Sequence, residues 1–226
     1  MMSRPKHVAA MFAGLAGLLL AMPMIAQEAR PIPTIPAGVP AVLLPVQSTR
    51  PTAGGAWLGG SPTDRETLGL LGAELAFAFG EEEGAASWVM PDQVTARLER
   101  NPMIRVSPER LSYHGLLREP EPNAQIYEPL HSQLRQVAAL FNARIVVLPL
   151  SVWYEPPSAE ERQAAQVSGG EDSQVWGRAV MLTAIIDVRR SAVLWHGLIE
   201  GDRGEPTSRM LLTSLALKTA RYLAPS

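Results

Sequence analysis

Three consecutive segments in the second half of the chain are apolar on both faces, and this pattern constrains the fold more than any other feature. Arg144–Tyr154 is an almost unbroken apolar run, while Gln174–Val188 and Ala192–Glu200 carry large apolar side chains at both odd and even positions. Successive side chains of a strand point to opposite faces, so strands of this kind are covered on both sides. Arg189-Arg190-Ser191 separates the last two segments and predicts a tight turn. We therefore predict neighbouring central strands, with the last two joined as a hairpin.

Helical periodicity elsewhere predicts the layers that cover these strands. Apolar side chains recur at helical spacing after Ser61, which is a suitable N-cap, and again between Tyr127 and Asn142, which is the predicted C-cap. Three further helices are predicted, beginning at Pro91, at Ser107 and at about Pro206.

Two shorter apolar stretches, Ala41–Val46 and Ala86–Val89, complete the set of predicted strands. Pro149 lies inside the longest apolar run and predicts a β-bulge there, because proline cannot donate to a strand ladder. The predicted order is β-α-β-α-α-β-β-β-α, which leaves out the short helix at Ser107. We therefore predict a single domain of the α/β (α+β) class, with a mixed sheet of about five strands packed by helices.

The amino terminus has the order of a secretory signal peptide: basic residues, an uncharged apolar run at 8–22, and small residues up to Ala26. We predict cleavage after residue 26, and a periplasmic or secreted protein. If the signal is kept, residues 8–22 provide a membrane association. Residues 27–40 are rich in proline and predict a linker, so that the domain spans 41–226 with an exposed loop at 155–173.

Composition excludes several functional classes. The chain has no cysteine, so disulfides, thiol catalysis and cysteine-zinc sites are ruled out, and stability depends on the core. The formal charge of −2 gives no basic surface for nucleic acid. The 46% hydrophobic content is typical of a chain that buries a substantial core.

The strongest concentration of reactive side chains is Asp187, Ser191 and His196, around the predicted turn. A catalytic triad needs a nucleophile oriented by its base, and no GxSxG nucleophile elbow occurs in the chain. We therefore interpret these groups as decoration of the hairpin, with Asp187 bonding turn N–H groups. His114 and His131 stand alone, without the spacing of a metal site. We predict no catalytic residue, no cofactor and no metal.

Large aromatic side chains next to loops are the candidates for binding a partner. Trp57 and Leu58 lie in a glycine-rich loop, and Trp153 and Tyr154 lie at the end of the strand that precedes the polar segment. Trp57 either folds back on the core or is exposed as an anchor for a partner. Tryptophan and tyrosine are enriched at binding hot spots, and loops on a rigid scaffold usually carry binding. We predict partner binding through these four residues.

The order of motifs resembles a group of bacterial envelope domains. It includes the amino-terminal domain of TolB-type periplasmic proteins, the curli-secretion lipoprotein domain and lipoproteins that activate penicillin-binding proteins. LLPV in the first strand, ARIVV at 143–147 and DVRRSAVLW at 187–195 stand where this group has its typical motifs. The resemblance covers about 41–223, with Arg190-Ser191 in place of the usual Thr-Gly at the turn.

The resemblance implies a non-catalytic interaction domain without a cofactor. We accordingly expect an exported, non-enzymatic domain that binds another protein of the cell envelope. Two alternatives stay open from the sequence: a structural subunit of an export or secretion assembly, which would be a stable oligomer, and a periplasmic hydrolase or small-ligand binder.

Overall fold

The computed structural model describes residues 31–36, 38–51, 64–118, 120, 124–167, 176–206 and 208–224. The strands in these ranges are β1 Ala41–Leu43, β2 Trp88–Val89, β3 Ile145–Glu155, β4 Gly177–Asp187 and β5 Ala192–Gly204. The α-helices are α1 Asp64–Gly80, α2 Pro91–Glu99, α3 Leu130–Leu140, α4 Ala159–Val167 and α5 Met210–Leu223. Ser61, the predicted cap of α1, is outside the described residues.

The five strands form one mixed sheet in the order β2-β1-β3-β4-β5. β1 is parallel to both β2 and β3, whereas β3, β4 and β5 are successively antiparallel. The prediction of a single α/β domain with a mixed sheet of about five strands is therefore confirmed. The three long apolar segments are indeed neighbouring strands, and the last two form a hairpin.

The pairing of β3 with β4 contains the β-bulge predicted at Pro149. The register runs regularly from Ile145 to Pro149 and then shifts by one residue between Pro149 and Ser151. Proline lacks the N–H that a regular ladder needs, and a bulge removes that requirement locally. Two hydroxyls, those of Ser151 and Thr183, are fully buried near this shift.

Each face of the sheet carries its own core, because β4 alternates apolar side chains between the two faces. Met181 and Ile185 pack beneath α1 and α5, while Leu182 and Ile186 pack on the opposite face with α2 and α3. Burying one leucine or isoleucine side chain contributes roughly 1.5–3 kcal/mol to stability. This cysteine-free chain forms no disulfides, so burial of apolar side chains on both faces of the sheet stabilises it instead.

α3 ends at Leu140 with Phe141 as its C-cap, and Asn142, which was predicted as the cap, lies one position further on. Asn142 follows the helix with φ +49°, and its N–H donates to Ala139 O while the N–H of Ala143 donates to Ala138 O. These two bonds form a Schellman motif, in which asparagine tolerates the left-handed conformation better than most residues. The chain then enters β3 within a few residues.

Two segments differ from their predictions. The short helix predicted at Ser107 is a turn followed by a 3-10 helix at Tyr113–Leu116. The loop predicted at 155–173 contains α4, which begins with a capping box. The N–H of Glu161 donates to Ser158 Oγ at 3.1 Å, and the N–H of Ser158 donates to Glu161 Oε2 at 2.8 Å. This S-x-x-E pattern was readable in the sequence.

The described part of the proline-rich segment packs against the domain. Ile35 is buried, and its N–H donates to Leu223 O at the end of α5. The predicted linker is therefore attached to the core near its own carboxyl end.

Candidate functional site

The turn between β4 and β5 is organised around the buried carboxylate of Asp187. Its side chain is only 1% exposed, and its Oδ1 accepts the backbone N–H groups of Arg189 and Arg190 at 3.0 and 3.1 Å. Its Oδ2 accepts two bonds from the Arg144 guanidinium, from Nε at 2.8 Å and Nη2 at 2.6 Å. Asp187 thus bonds turn N–H groups, as predicted, and also ties the start of β3 to the end of β4.

The protonation of Asp187 follows from these contacts. Burial opposes the charged form, but the hydrogen bonds from Arg144 and the turn amides outweigh burial and hold the pKa of Asp187 below its usual value. The same pair raises the pKa of Arg144. The carboxylate is therefore ionised at neutral pH and has its hydrogen-bonding capacity filled, which suits a structural group rather than a proton-transfer group.

Asp187 and His196 do not meet. In the register of the hairpin, Asp187 pairs with Ala192, while His196 pairs with Ala184, further along β4. His196 Nε2 lies 2.7 Å from Leu116 O, so the tautomer with a proton on Nε2 donates to that carbonyl. A reactive centre built on Asp187 and His196 is therefore excluded by the strand register.

A different pair was not found from the sequence, because it joins residues 60 positions apart. Ser191 Oγ lies 2.6 Å from His131 Nε2, and Glu128 Oε1 lies 3.5 Å from His131 Nδ1. The residue types are those of a Ser-His-acid triad, and Ser191 has φ +54°. The second link is longer than a hydrogen bond. The turn amides of Arg189 and Arg190 are already bonded to Asp187, so they are not free to form an oxyanion hole.

A concave surface lies along β5, which is an edge strand of the sheet. This β5 groove has a volume of about 1060 Å³, and its lining includes Arg50, Leu117, Arg178 and Leu198. Leu194 and Leu198 on β5 are 41% and 46% exposed, respectively. An edge strand with exposed apolar side chains is a common site for binding an extended segment of a partner.

Neighbouring backbone shortens the accessible part of this edge. Near its start, Val193 N–H donates to Ala124 O and Ser191 O accepts the N–H of Ile126. Near its end, Asp202 N–H donates to Ser214 Oγ on α5. The exposed leucines lie between these two covers.

The arginine, lysine and acidic side chains that line the β5 groove form ion pairs, except for Arg50. Arg178 bridges Glu155 at 2.7 Å and Glu200 at 2.5 Å, across the ends of β3, β4 and β5. Asp202 pairs with Lys218 of α5 at 2.6 Å. The groove therefore offers an apolar strip bounded by neutralised charges, which resembles the apolar centre and polar rim of a protein interface.

The four predicted contact residues have different positions. Trp153 is half-buried, and the Arg50 guanidinium carbon lies 4.5 Å from its ring centroid, in cation–π geometry. Arg50 also lines the β5 groove, so this stacked pair stands beside it. Tyr154 is buried, and its hydroxyl oxygen accepts the N–H of Gly177 at 2.8 Å. Trp57 and Leu58 lie outside the described residues.

Two further features bear on the site. In the parts of the chain that the structure describes, no cluster of three or more histidine or acidic side chains could hold a metal ion. Over the same ranges, no helix has both the length and the apolar character needed to cross a membrane.

No protein-family model and no curated protein matches this chain, so its resemblance to the envelope domains rests on the quoted motifs alone.

Proposed function

We propose that this protein is an exported, non-enzymatic α/β domain that binds another protein of the bacterial cell envelope. The β5 groove is the contact surface, with Trp153 and Arg50 at its margin. The partner is a protein, and no nucleic acid, metal or cofactor takes part. Export depends on residues 1–26, which act as a signal peptide and place the domain in the periplasm or outside the cell.

The observation that carries this proposal is the exposure of Leu194 and Leu198 on an edge strand beside the β5 groove. Solvent-exposed leucines at an edge are a liability for an isolated domain, because they favour association. A partner that adds a strand or inserts apolar side chains would cover them. The resemblance to envelope interaction domains supports the same conclusion, because those domains act without catalysis.

Site-specific photo-crosslinking in living cells tests the proposal. A photoreactive amino acid at Leu198 should capture one defined envelope protein, whereas the same amino acid at Met103 should not. Met103 is a suitable control because it is 91% exposed and lies beyond α2, away from the β5 groove. Purified partner should then bind the full chain, and Trp153→Ala and Leu198→Asp should each weaken that binding at least tenfold. Equal capture at both positions, or no capture, would refute the proposal.

Capture of a second copy of the same chain at Leu198 would favour the structural-subunit alternative instead. Size-exclusion chromatography with light scattering would then show a stable oligomer that Leu198→Asp dissociates.

The hydrolase alternative has one observation in its favour, the 2.6 Å contact between Ser191 Oγ and His131 Nε2. A fluorophosphonate probe tests it directly, because such probes label activated serines. The non-enzymatic proposal expects no labelling of Ser191 above that of denatured protein. Labelling that disappears in Ser191→Ala and in His131→Ala would replace it with a hydrolase.

A further inference from the structure

A second concavity lies at the hairpin turn, at the end of the molecule where α3 meets the residues after β4. This turn pocket has a volume of about 450 Å³. The polar side chains in its lining are His131, Arg135, Asn142, Arg189 and Ser191. It shares no lining residue with the β5 groove, so it is a separate site.

The acidic groups near the turn pocket are already engaged. Asp187 is buried and accepts two hydrogen bonds from Arg144 and two from turn amides. Arg190 Nε also lies 3.8 Å from Asp187 Oδ2. Glu128 Oε2 accepts the N–H of Ser132, and its Oε1 faces His131. Neither carboxylate is among the residues that line the cavity.

Two guanidinium groups at the turn pocket have no such compensation. Arg135 on α3 and Arg189 in the turn are both exposed, and neither forms an ion pair with any other residue that the structure describes. Two like charges that line one concavity repel each other, and an anion bound between them removes that repulsion.

The Ser191 hydroxyl and the His131 imidazole add hydrogen-bond donors to the pocket. Ser191 Oγ and His131 Nε2 share one hydrogen bond, so a ligand oxygen that enters the pocket can accept a bond from either group after a rotation of the hydroxyl. The walls are held in place by the Schellman motif at Asn142 on one side and by Asp187 on the other. A pocket formed before its ligand arrives loses less conformational entropy on binding.

We infer that the turn pocket binds a phosphate group. A phosphate presents three or four acceptor oxygens and one to two negative charges, which match two guanidiniums, an imidazole and a hydroxyl better than the two oxygens of a carboxylate do. Planar guanidinium groups bind such oxygens in bidentate fashion. The same chemistry serves a soluble phosphate ester and the headgroup of an anionic phospholipid. The inference does not depend on the partner proposed for the β5 groove.

Binding of inorganic phosphate to the purified protein is the first test. Titration with phosphate at constant ionic strength, followed by NMR or calorimetry, should show saturable binding that sodium chloride does not reproduce. Arg135→Gln and Arg189→Gln should each weaken phosphate binding at least tenfold. Arg162→Gln should leave it unchanged, because Arg162 is an equally exposed arginine on α4, away from the turn pocket.

Co-sedimentation with vesicles distinguishes the two sources of phosphate. Vesicles of phosphatidylcholine with and without phosphatidylglycerol are compared, using the wild type and the same three variants. Binding that requires phosphatidylglycerol, Arg135 and Arg189 assigns the pocket to a lipid headgroup. Saturable binding of free phosphate alone assigns it to a soluble ester. The inference is overturned if neither phosphate nor the phosphatidylglycerol vesicles bind, or if Arg135→Gln and Arg189→Gln bind as the wild type does. Crosslinking at Leu198 should be unaffected by these variants, so failure here leaves the β5 groove proposal standing.

Discussion

Replacing Asp187 tests how much the buried carboxylate at the hairpin turn contributes to stability. Asp187→Asn preserves the size of the side chain and one oxygen for the turn amides, but it removes the charge that faces Arg144. Asp187→Ala removes both sets of contacts. Asp202→Ala is the control, because Asp202 also forms an ion pair with a basic residue but has a side chain that is 68% exposed.

The size of the effect follows from the hydrogen bonds that Asp187 accepts. Hydrogen bonds to a charged group contribute about 1.5–3 kcal/mol, and the low end applies here because the Arg144 side chain is 44% exposed and can be rehydrated. We therefore expect Asp187→Asn to destabilise the protein by about 1.5–2 kcal/mol. Loss of the two turn amide bonds in Asp187→Ala adds about 0.5–1 kcal/mol each, for about 2.5–4 kcal/mol in total. The Asp202→Ala control should stay within about 0.5 kcal/mol.

Urea unfolding followed by circular dichroism measures these differences, and thermal unfolding checks them. At about 2–4 °C per kcal/mol for a domain of this size, Asp187→Ala should lower the Tm by roughly 5–16 °C. A loss below about 1 kcal/mol for Asp187→Ala would refute the reasoning. It would mean that the turn keeps its structure without this acceptor.

The pH dependence gives an independent check on the same group. The pKa of Asp187 is lower in the folded protein than its unfolded value of about 3.9, so its stabilisation is fully present above about pH 5. That stabilisation is lost as the pH falls through 3.9 towards the folded pKa. The stability of wild type should therefore approach that of Asp187→Asn as the pH is lowered, and parallel curves would contradict the assignment.

Three further predictions concern single positions, each measured by urea unfolding. Ser191→Gly should be more stable than Ser191→Ala by about 0.5–1 kcal/mol, since both lose the bond to His131 but only glycine relieves the positive φ; equal stabilities would contradict this. Thr183→Val should stabilise by about 1 kcal/mol, because the buried hydroxyl has no partner among the described residues, and a clear loss would reveal an unseen partner. Gly69→Ala at an exposed position of α1 should stabilise by about 0.5–1 kcal/mol, whereas Gly177→Ala should destabilise by about 1–3 kcal/mol, because the added methyl meets the backbone oxygen of Glu155 and the ring of Tyr154; the opposite order would refute both.

Features set by short-range pattern could be predicted from the sequence. The two-sided apolar strands, the bulge at Pro149 and the end of α3 near Asn142 each depend on a few neighbouring residues. The capping box at Ser158 belongs to the same class, but the proline and glycine residues around α4 hid it behind a general loop signal. Local chemistry at those positions agreed with the final fold, which is why local patterns were informative.

The contacts that define the two concave surfaces could not be predicted in this way. Arg144 meets Asp187 across 43 residues and Ser191 meets His131 across 60, and both contacts depend on strand register and helix placement. A change of strand register by one residue would turn Asp187 to the opposite face of the sheet, away from Arg144. The open edge of β5 likewise depends on sheet order, which hydrophobic periodicity alone does not determine.

The layer that α1 and α5 form over one face of the sheet joins the two ends of the described chain. During synthesis α1 emerges before β4 and α5 emerges after β5, so the side of Met181 and Ile185 that α5 covers remains exposed to water until α5 has been made. Domains acquire stable structure as whole units, and contacts between distant segments form slowly. The domain therefore stays incompletely folded until α5 is available, and deleting α5 should remove the native state as a whole.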